Sequence, residues 1–148
     1  MTRRRLALAL STAATAAALG AGAIAPAQAS APTFKIHADV KMLPGGGTIL
    51  RQRGTFTGAP LGRGTVDVST RLGARQGTRV TFTLKSSAGS VRGAGYAQVK
   101  FKGTVITYTG TADITGGSGK FADVRRKGLR FRGTGDLAGD RFSVDIGG

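Results

Sequence analysis

Few side chains in this sequence have types and spacing suited to chemistry. His37 is the single histidine, and Asp39 follows it at i+2. In an extended strand that spacing puts both side chains on one face, about 7 Å apart. Such a pair could pass a proton or contribute to a metal site, but one imidazole and one carboxylate are an incomplete set for zinc. There is no cysteine to complete it, and all seven acids are aspartates. No metal or cofactor is therefore expected, and the pair reads as solvated charge. Serine and threonine are plentiful, yet no G-x-S-x-G elbow presents a nucleophile to a base. No residue is assigned a catalytic role, and ordinary hydrolysis is not indicated.

The stretch ITGGSGKFADVRRKG, Ile114 to Gly128, poses the question of a phosphate loop. A P-loop needs G-x-x-x-x-G-K followed by Ser or Thr, so that amides cradle phosphate and a hydroxyl reaches magnesium. Here Ile114 stands at the first glycine position and Phe121 follows Lys120. The stretch reads instead as a chain reversal. Gly116, Gly117 and Gly119 are available for positive φ, Ser118 for a local hydrogen bond, and Phe121 for folding back onto the rim of whatever the strands enclose.

Positive charge is the other chemical signal. The formal net charge is +15, and a field of that size speeds encounter with anions. The basic clusters are Arg51 with Arg53, then Arg71, Arg75 and Arg79, and finally Arg125 onward, where Arg126, Lys127, Arg130 and Arg132 are the candidate anion-binding residues. Strand alternation turns Phe131 away from Arg130 and Arg132, so base stacking of the single-strand-binding kind is not supported. An extracellular polyanion such as a wall polymer is a candidate partner; sequence-specific nucleic acid is not. An arginine-rich solvated face accounts for the same residues.

The elements that must position these residues begin after a leader. Met1 to Arg5 is a short basic head, Leu6 to Ile24 is uncharged, and Ala27-Gln28-Ala29 fits signal-peptidase cleavage. Residues 1–29 are read as a signal peptide and 30–148 as one domain, secreted or otherwise extracytoplasmic. Thr2-Arg3-Arg4-Arg5-Leu6 suits either general or twin-arginine export.

Beyond the leader, Phe34 to Lys41 alternates strictly, with Phe34, Ile36, Ala38 and Val40 on one face and charges on the other. Ile49 to Thr57, Gly64 to Thr70 and Arg79 to Lys85 repeat the pattern, the last placing Val80, Phe82 and Leu84 inward. Gly93 to Tyr108 reads as one long strand bent at Gly95 or Gly103, continued by Thr111 to Thr115. Leu129 to Arg132 and Phe142 to Ile146 close the series. No helical period runs through this region, and it holds all but two of the 25 glycines. Seven or eight antiparallel strands follow, as a sandwich or a closed barrel, and glycines inside strands favour the tight curvature of the barrel.

Thr115-Gly116-Gly117-Ser118-Gly119-Lys120-Phe121 with Val124-Arg125 resembles the G-G-T-G-x-F-x-x-A-R-G signature of the allene oxide cyclase-like and dirigent proteins. Ser118 stands where that family usually has Thr, Val124 where it has Ala, and Arg126 where it has Gly. The resemblance implies an all-β fold, a closed antiparallel eight-stranded barrel of lipocalin-like shape around an apolar cavity, and association into dimers or trimers. The glutamate and cysteine associated with the plant cyclases have no counterpart here. Dirigent proteins use aspartates, a tyrosine and an arginine; of these only Arg125 falls on a signature position here, Asp39, Tyr96, Tyr108 and Asp113 are candidate cavity residues by their type, and Phe121 is a candidate rim residue. Three functions stay open: a noncatalytic barrel binding a small apolar ligand or serving a structural role, cyclase or dirigent-type stereocontrol, and a basic module for polyanions.

Overall fold

A computed structural model describes residues 33–45, 47–73 and 77–148; the expected signal peptide lies outside them, as does Arg75. The architecture is a closed barrel of eight antiparallel strands in which each strand pairs with its sequence neighbours and β1 pairs with β8. The strands are β1 Lys35–Met42, β2 Ile49–Ala59, β3 Gly62–Arg71, β4 Thr78–Ser86, β5 Gly89–Lys102, β6 Val105–Gly119, β7 Arg126–Asp136 and β8 Arg141–Gly147. Among the described residues there is no helix.

Period-two patterning decides which face turns inward, because successive side chains in a strand point to opposite sides. Ile36, Ala38 and Val40 of β1 are buried between exposed Lys35, His37, Asp39 and Lys41. The cross-strand register keeps Ala38 opposite Phe56 and Val144, and Val40 opposite Phe142, so these inward sets meet around the circumference. Closure leaves no unpaired edge, which is how an all-β chain avoids templating its own aggregation.

The segment from Gly93 to Tyr108 corrects the expectation of one bent strand. It contains the end of β5, a reversal at Gly103 and Thr104, and the start of β6. Gly103 has φ +62°, the left-handed conformation that glycine enters without steric cost, so the chain turns back instead of bending. The irregularity within the pair sits at Arg92/Gly93, where Gly93 faces Ile114 and Arg92 faces Gly116; Gly95 stays in register with Ala112.

Several strand glycines serve as seats for aromatic rings. A Cβ at Gly64 would meet the Phe56 ring, one at Gly110 the Phe131 ring, one at Gly133 the Tyr108 ring and one at Gly135 the Phe142 ring. Each bulky inward side chain lies flat across a neighbouring strand that has no side chain there. Phe131 and Phe142 consequently do not fill the barrel's centre.

In the reversal from Ile114 to Gly128, Gly116 and Gly117 continue β6, and the positive φ values belong to Gly119 (+59°) and Gly128 (+69°). Phe121 N–H donates to the Ser118 carbonyl at 3.1 Å and Val124 N–H to the Phe121 carbonyl at 3.1 Å. This compact turn folds Phe121 over the barrel end, where it is buried with Phe34, Leu61 and Leu129. The Ser118 hydroxyl pairs across strands with Ser90, at 2.8 Å.

Candidate functional site

The two ends of the barrel are built differently. At the end formed by the β2–β3, β4–β5 and β6–β7 connections, Phe34, Phe56, Leu61, Leu84, Phe121 and Leu129 form a continuous buried plug. At the opposite end, formed by the β1–β2, β3–β4, β5–β6 and β7–β8 connections, Leu72, Phe101 and Leu137 line the interior and are also exposed. Between plug and mouth lies a cavity of about 240 Å³.

Its wall is apolar, including Val40, Val66, Val68, Val80, Val99, Val144 and Ile146, with Gln52, Thr70, Thr78 and Tyr108 as the polar groups. No carboxylate, guanidinium or ammonium group is among the lining residues. The Tyr108 ring lies beside Phe142, centroids 6.5 Å apart. Its hydroxyl is buried and has no hydrogen-bonding partner among the described residues. Burial pushes the Tyr108 pKa up to about 12, because a phenolate is poorly solvated there. The group is therefore a neutral O–H, able to donate or accept.

Of the candidate cavity or rim residues, Tyr108 alone lines this cavity. Asp39 and Tyr96 are exposed on the outer wall. Asp113 is half-buried and accepts the Gly128 amide at 2.8 Å, so its carboxylate holds the start of β7 in place. Phe121 is buried in the plug, at the far end from the mouth. Arg125 is exposed and donates to the carbonyls of Ala122 and Val124, at 3.0 and 2.8 Å, bracing the β6–β7 turn. Gln52 and Thr70 escaped notice in the sequence, although each is a polar residue at an inward parity position, between Leu50 and Gly54 and after Val66 and Val68. That departure from binary patterning was the available signal.

Outside, Arg130 and Arg132 are exposed on the outer wall with Lys127, while Arg126 is half-buried and lies 3.4 Å from the Gly148 carbonyl to which it donates. Arg130 is in register with Thr111, and Thr111 with Tyr96, so this face carries cations and one tyrosine along a shallow groove. His37 Nδ1 is 2.7 Å from Asp145 on β8, and its Nε2 is 3.6 Å from Asp39. The hydrogen bond to Asp145 is the chief reason its pKa is raised. The cross-strand neighbour thus engages His37 more closely than the i+2 aspartate does, and among the described residues no group of His, Cys, Asp or Glu has the geometry to hold a metal ion.

No protein-family model, curated protein or solved structure matches the chain.

Proposed function

We propose that this protein is a noncatalytic binding barrel that takes a small, largely apolar molecule carrying one hydrogen-bonding group. The observation that carries the reading is the Tyr108 hydroxyl, buried and unpartnered in an otherwise apolar cavity reached through an exposed mouth. An unmade hydrogen bond of this kind costs about 1–3 kcal/mol, and a ligand hydroxyl or carbonyl would recover part of it. At about 240 Å³ the space lies below the ~300–1,000 Å³ usual for drug-sized ligands, which favours a small molecule. The shape resembles that inferred from the allene oxide cyclase-like signature, but the absence of charged groups from the lining supports binding over stereocontrolled cyclisation, which would ask for aspartate, tyrosine and arginine facing inward together.

The test is displacement of the fluorescent probe N-phenyl-1-naphthylamine by 1-octanol. The probe should bind the wild type, Tyr108→Phe should weaken octanol competition about 5- to 10-fold, the worth of one hydrogen bond, and Val80→Phe should reduce uptake by occupying the space. Equal competition in wild type and Tyr108→Phe would remove the hydrogen-bonding role, and uptake unchanged by Val80→Phe would place the probe outside the cavity.

A second reading, attraction of a polyanion to the outer wall, is favoured by the exposure of Arg130 and Arg132 on one face. Under it, Arg130→Gln with Arg132→Gln should weaken polyphosphate binding and flatten its salt dependence. Binding unaffected by both changes would defeat it.

A further inference from the structure

The exposed apolar side chains are not scattered over this barrel. Ile49, Leu72, Phe101, Val105 and Leu137 all lie at the open end, and of the large exposed hydrophobics among the described residues only Tyr96 lies elsewhere. Leu72 and Leu137 come from the β3–β4 and β7–β8 connections and Phe101 from the end of β5, and all three line the mouth, while Ile49 and Val105 sit on the outer wall just behind the lip. A rim of this kind, contributed by the tips of several hairpins, leaves much apolar surface in water: Phe101 is 66% exposed and each of the others more than a third. Clustered exposure of apolar groups marks an interaction surface.

Charge surrounds the same rim. Lys41, Arg51, Arg71, Lys100, Lys102 and Arg141 are exposed at the strand ends that carry it. Register places Arg71 beside Ile49 and Lys102 beside Val105, so cations and apolar side chains alternate around the lip. None of the six forms an ion pair with another described residue. The nearby carboxylates are Asp39, Asp136 and Asp140; Asp136 is in register with Arg141 and accepts the Ala138 amide. The plugged end carries Lys120, Arg125 and Lys127 as well, but its large apolar residues are buried. Cations occur at both ends; apolar tips coincide with them at one.

We propose that the open end docks on an anionic lipid surface, with the hairpin tips entering the interface and the surrounding lysines and arginines meeting lipid head groups. Apolar insertion and basic attraction act together in interfacial anchors, and long cationic side chains can lie along the apolar boundary while their heads reach the phosphates. In this orientation the mouth faces the bilayer, and an apolar ligand could pass between lipid and cavity without crossing water. That consequence rests on the binding reading above; the docking stands on the rim alone.

Cosedimentation with vesicles tests it. The protein should bind mixed phosphatidylcholine–phosphatidylglycerol vesicles and show little binding to phosphatidylcholine alone. Phe101→Asp with Leu137→Asp should weaken binding by about tenfold or more, and Lys100→Gln with Lys102→Gln should weaken it and reduce its salt dependence. Lys85→Gln with Lys120→Gln, at the plugged end, should change little. Because the chain has no tryptophan, Phe101→Trp adds a sole indole whose emission should shift to the blue on the anionic vesicles.

Several results would overturn the proposal: no indole shift, loss of vesicle binding caused equally by changes at the plugged end, or loss caused by Arg130→Gln and Arg132→Gln with the rim variants still bound. The last would assign attraction to the outer wall and to polyanions generally. Rim-to-rim dimers seen by sedimentation velocity and dissolved by Phe101→Asp, without vesicle binding, would make a second copy the occupant. Probe uptake measured without vesicles reports on the cavity separately, so either reading can fail while the other stands.

Discussion

The plugged and open ends of the barrel use the same kinds of residue to opposite effect. Phe34, Phe56 and Phe121 are 1%, 2% and 8% exposed, whereas Phe101 and Leu137 are 66% and 41% exposed. The difference lies in the connections. The β6–β7 link makes a hydrogen-bonded turn that carries Phe121 across the barrel end, where it is buried. Gly103 and Thr104 reverse β5 into β6 too tightly to reach over the opening, and the β7–β8 turn leaves Leu137 at the lip. Apolar burial is concentrated at one end and apolar exposure at the other, a division expected to make the plugged end the more stable of the two.

The largest test of that division is truncation at the two ends. Phe56→Ala should lower unfolding free energy by about 3–5 kcal/mol, the usual cost of removing a buried aromatic. Phe101→Ala should change it by no more than about 0.5 kcal/mol, as surface substitutions do. Urea denaturation of both variants measures the contrast, and similar losses would abolish it.

Glycine substitutions sharpen the same point at lower amplitude. A Cβ at Gly64 would press on the Phe56 ring and the Lys85 backbone, while one at Gly45 in the β1–β2 loop has nothing within 4 Å. Gly64→Ala should cost about 1–3 kcal/mol by overpacking. Gly45→Ala should fall within about 0.5 kcal/mol of the wild type. Equal melting temperatures for the two would show that the ring over Gly64 can move aside freely.

Ionisation of the interior gives a smaller, pH-dependent effect. The Tyr108 pKa is raised from 10.0 to about 12 by burial. A raised folded-state value means that the folded chain holds the proton more tightly than the unfolded one. The associated stability is complete below pH 10.0, the unfolded value, and is lost as pH rises through about 12. Alkaline absorbance titration should show one late tyrosine step that disappears in Tyr108→Phe. Persistence of that step in Tyr108→Phe would mean that it does not belong to Tyr108.

The smallest effect belongs to the outer wall. His37 has a raised pKa chiefly through its hydrogen bond to Asp145. Its contribution is present below the unfolded value of 6.5 and fades as pH rises through the raised folded value. Asp145→Asn should lower the pKa seen in the imidazole proton resonances with little change in melting temperature. An unmoved pKa would assign the shift to Asp39.

Local pattern was enough for much of this protein. Strict alternation in Phe34 to Lys41 and Arg79 to Lys85 specified strands and their inward faces, because side-chain direction in a strand depends only on parity. The glycines within strands indicated curvature, and the departure of Ile114 to Gly128 from a phosphate loop followed from residue identity. Other features depend on partners distant in sequence. That Gly103 reverses the chain instead of bending it is settled by β5 pairing back onto β6. That Phe131 and Phe142 leave room for a cavity is settled by their lying over Gly110 and Gly135 on neighbouring strands. The engagement of His37 by Asp145 spans 108 positions, and the placement of Tyr96 outside and Tyr108 inside required strand register across the closed sheet. Parity along each strand fixes which residues turn inward; which barrel end is sealed depends on the tertiary placement of Phe121, which the hydrogen-bonded β6–β7 turn folds across the opening.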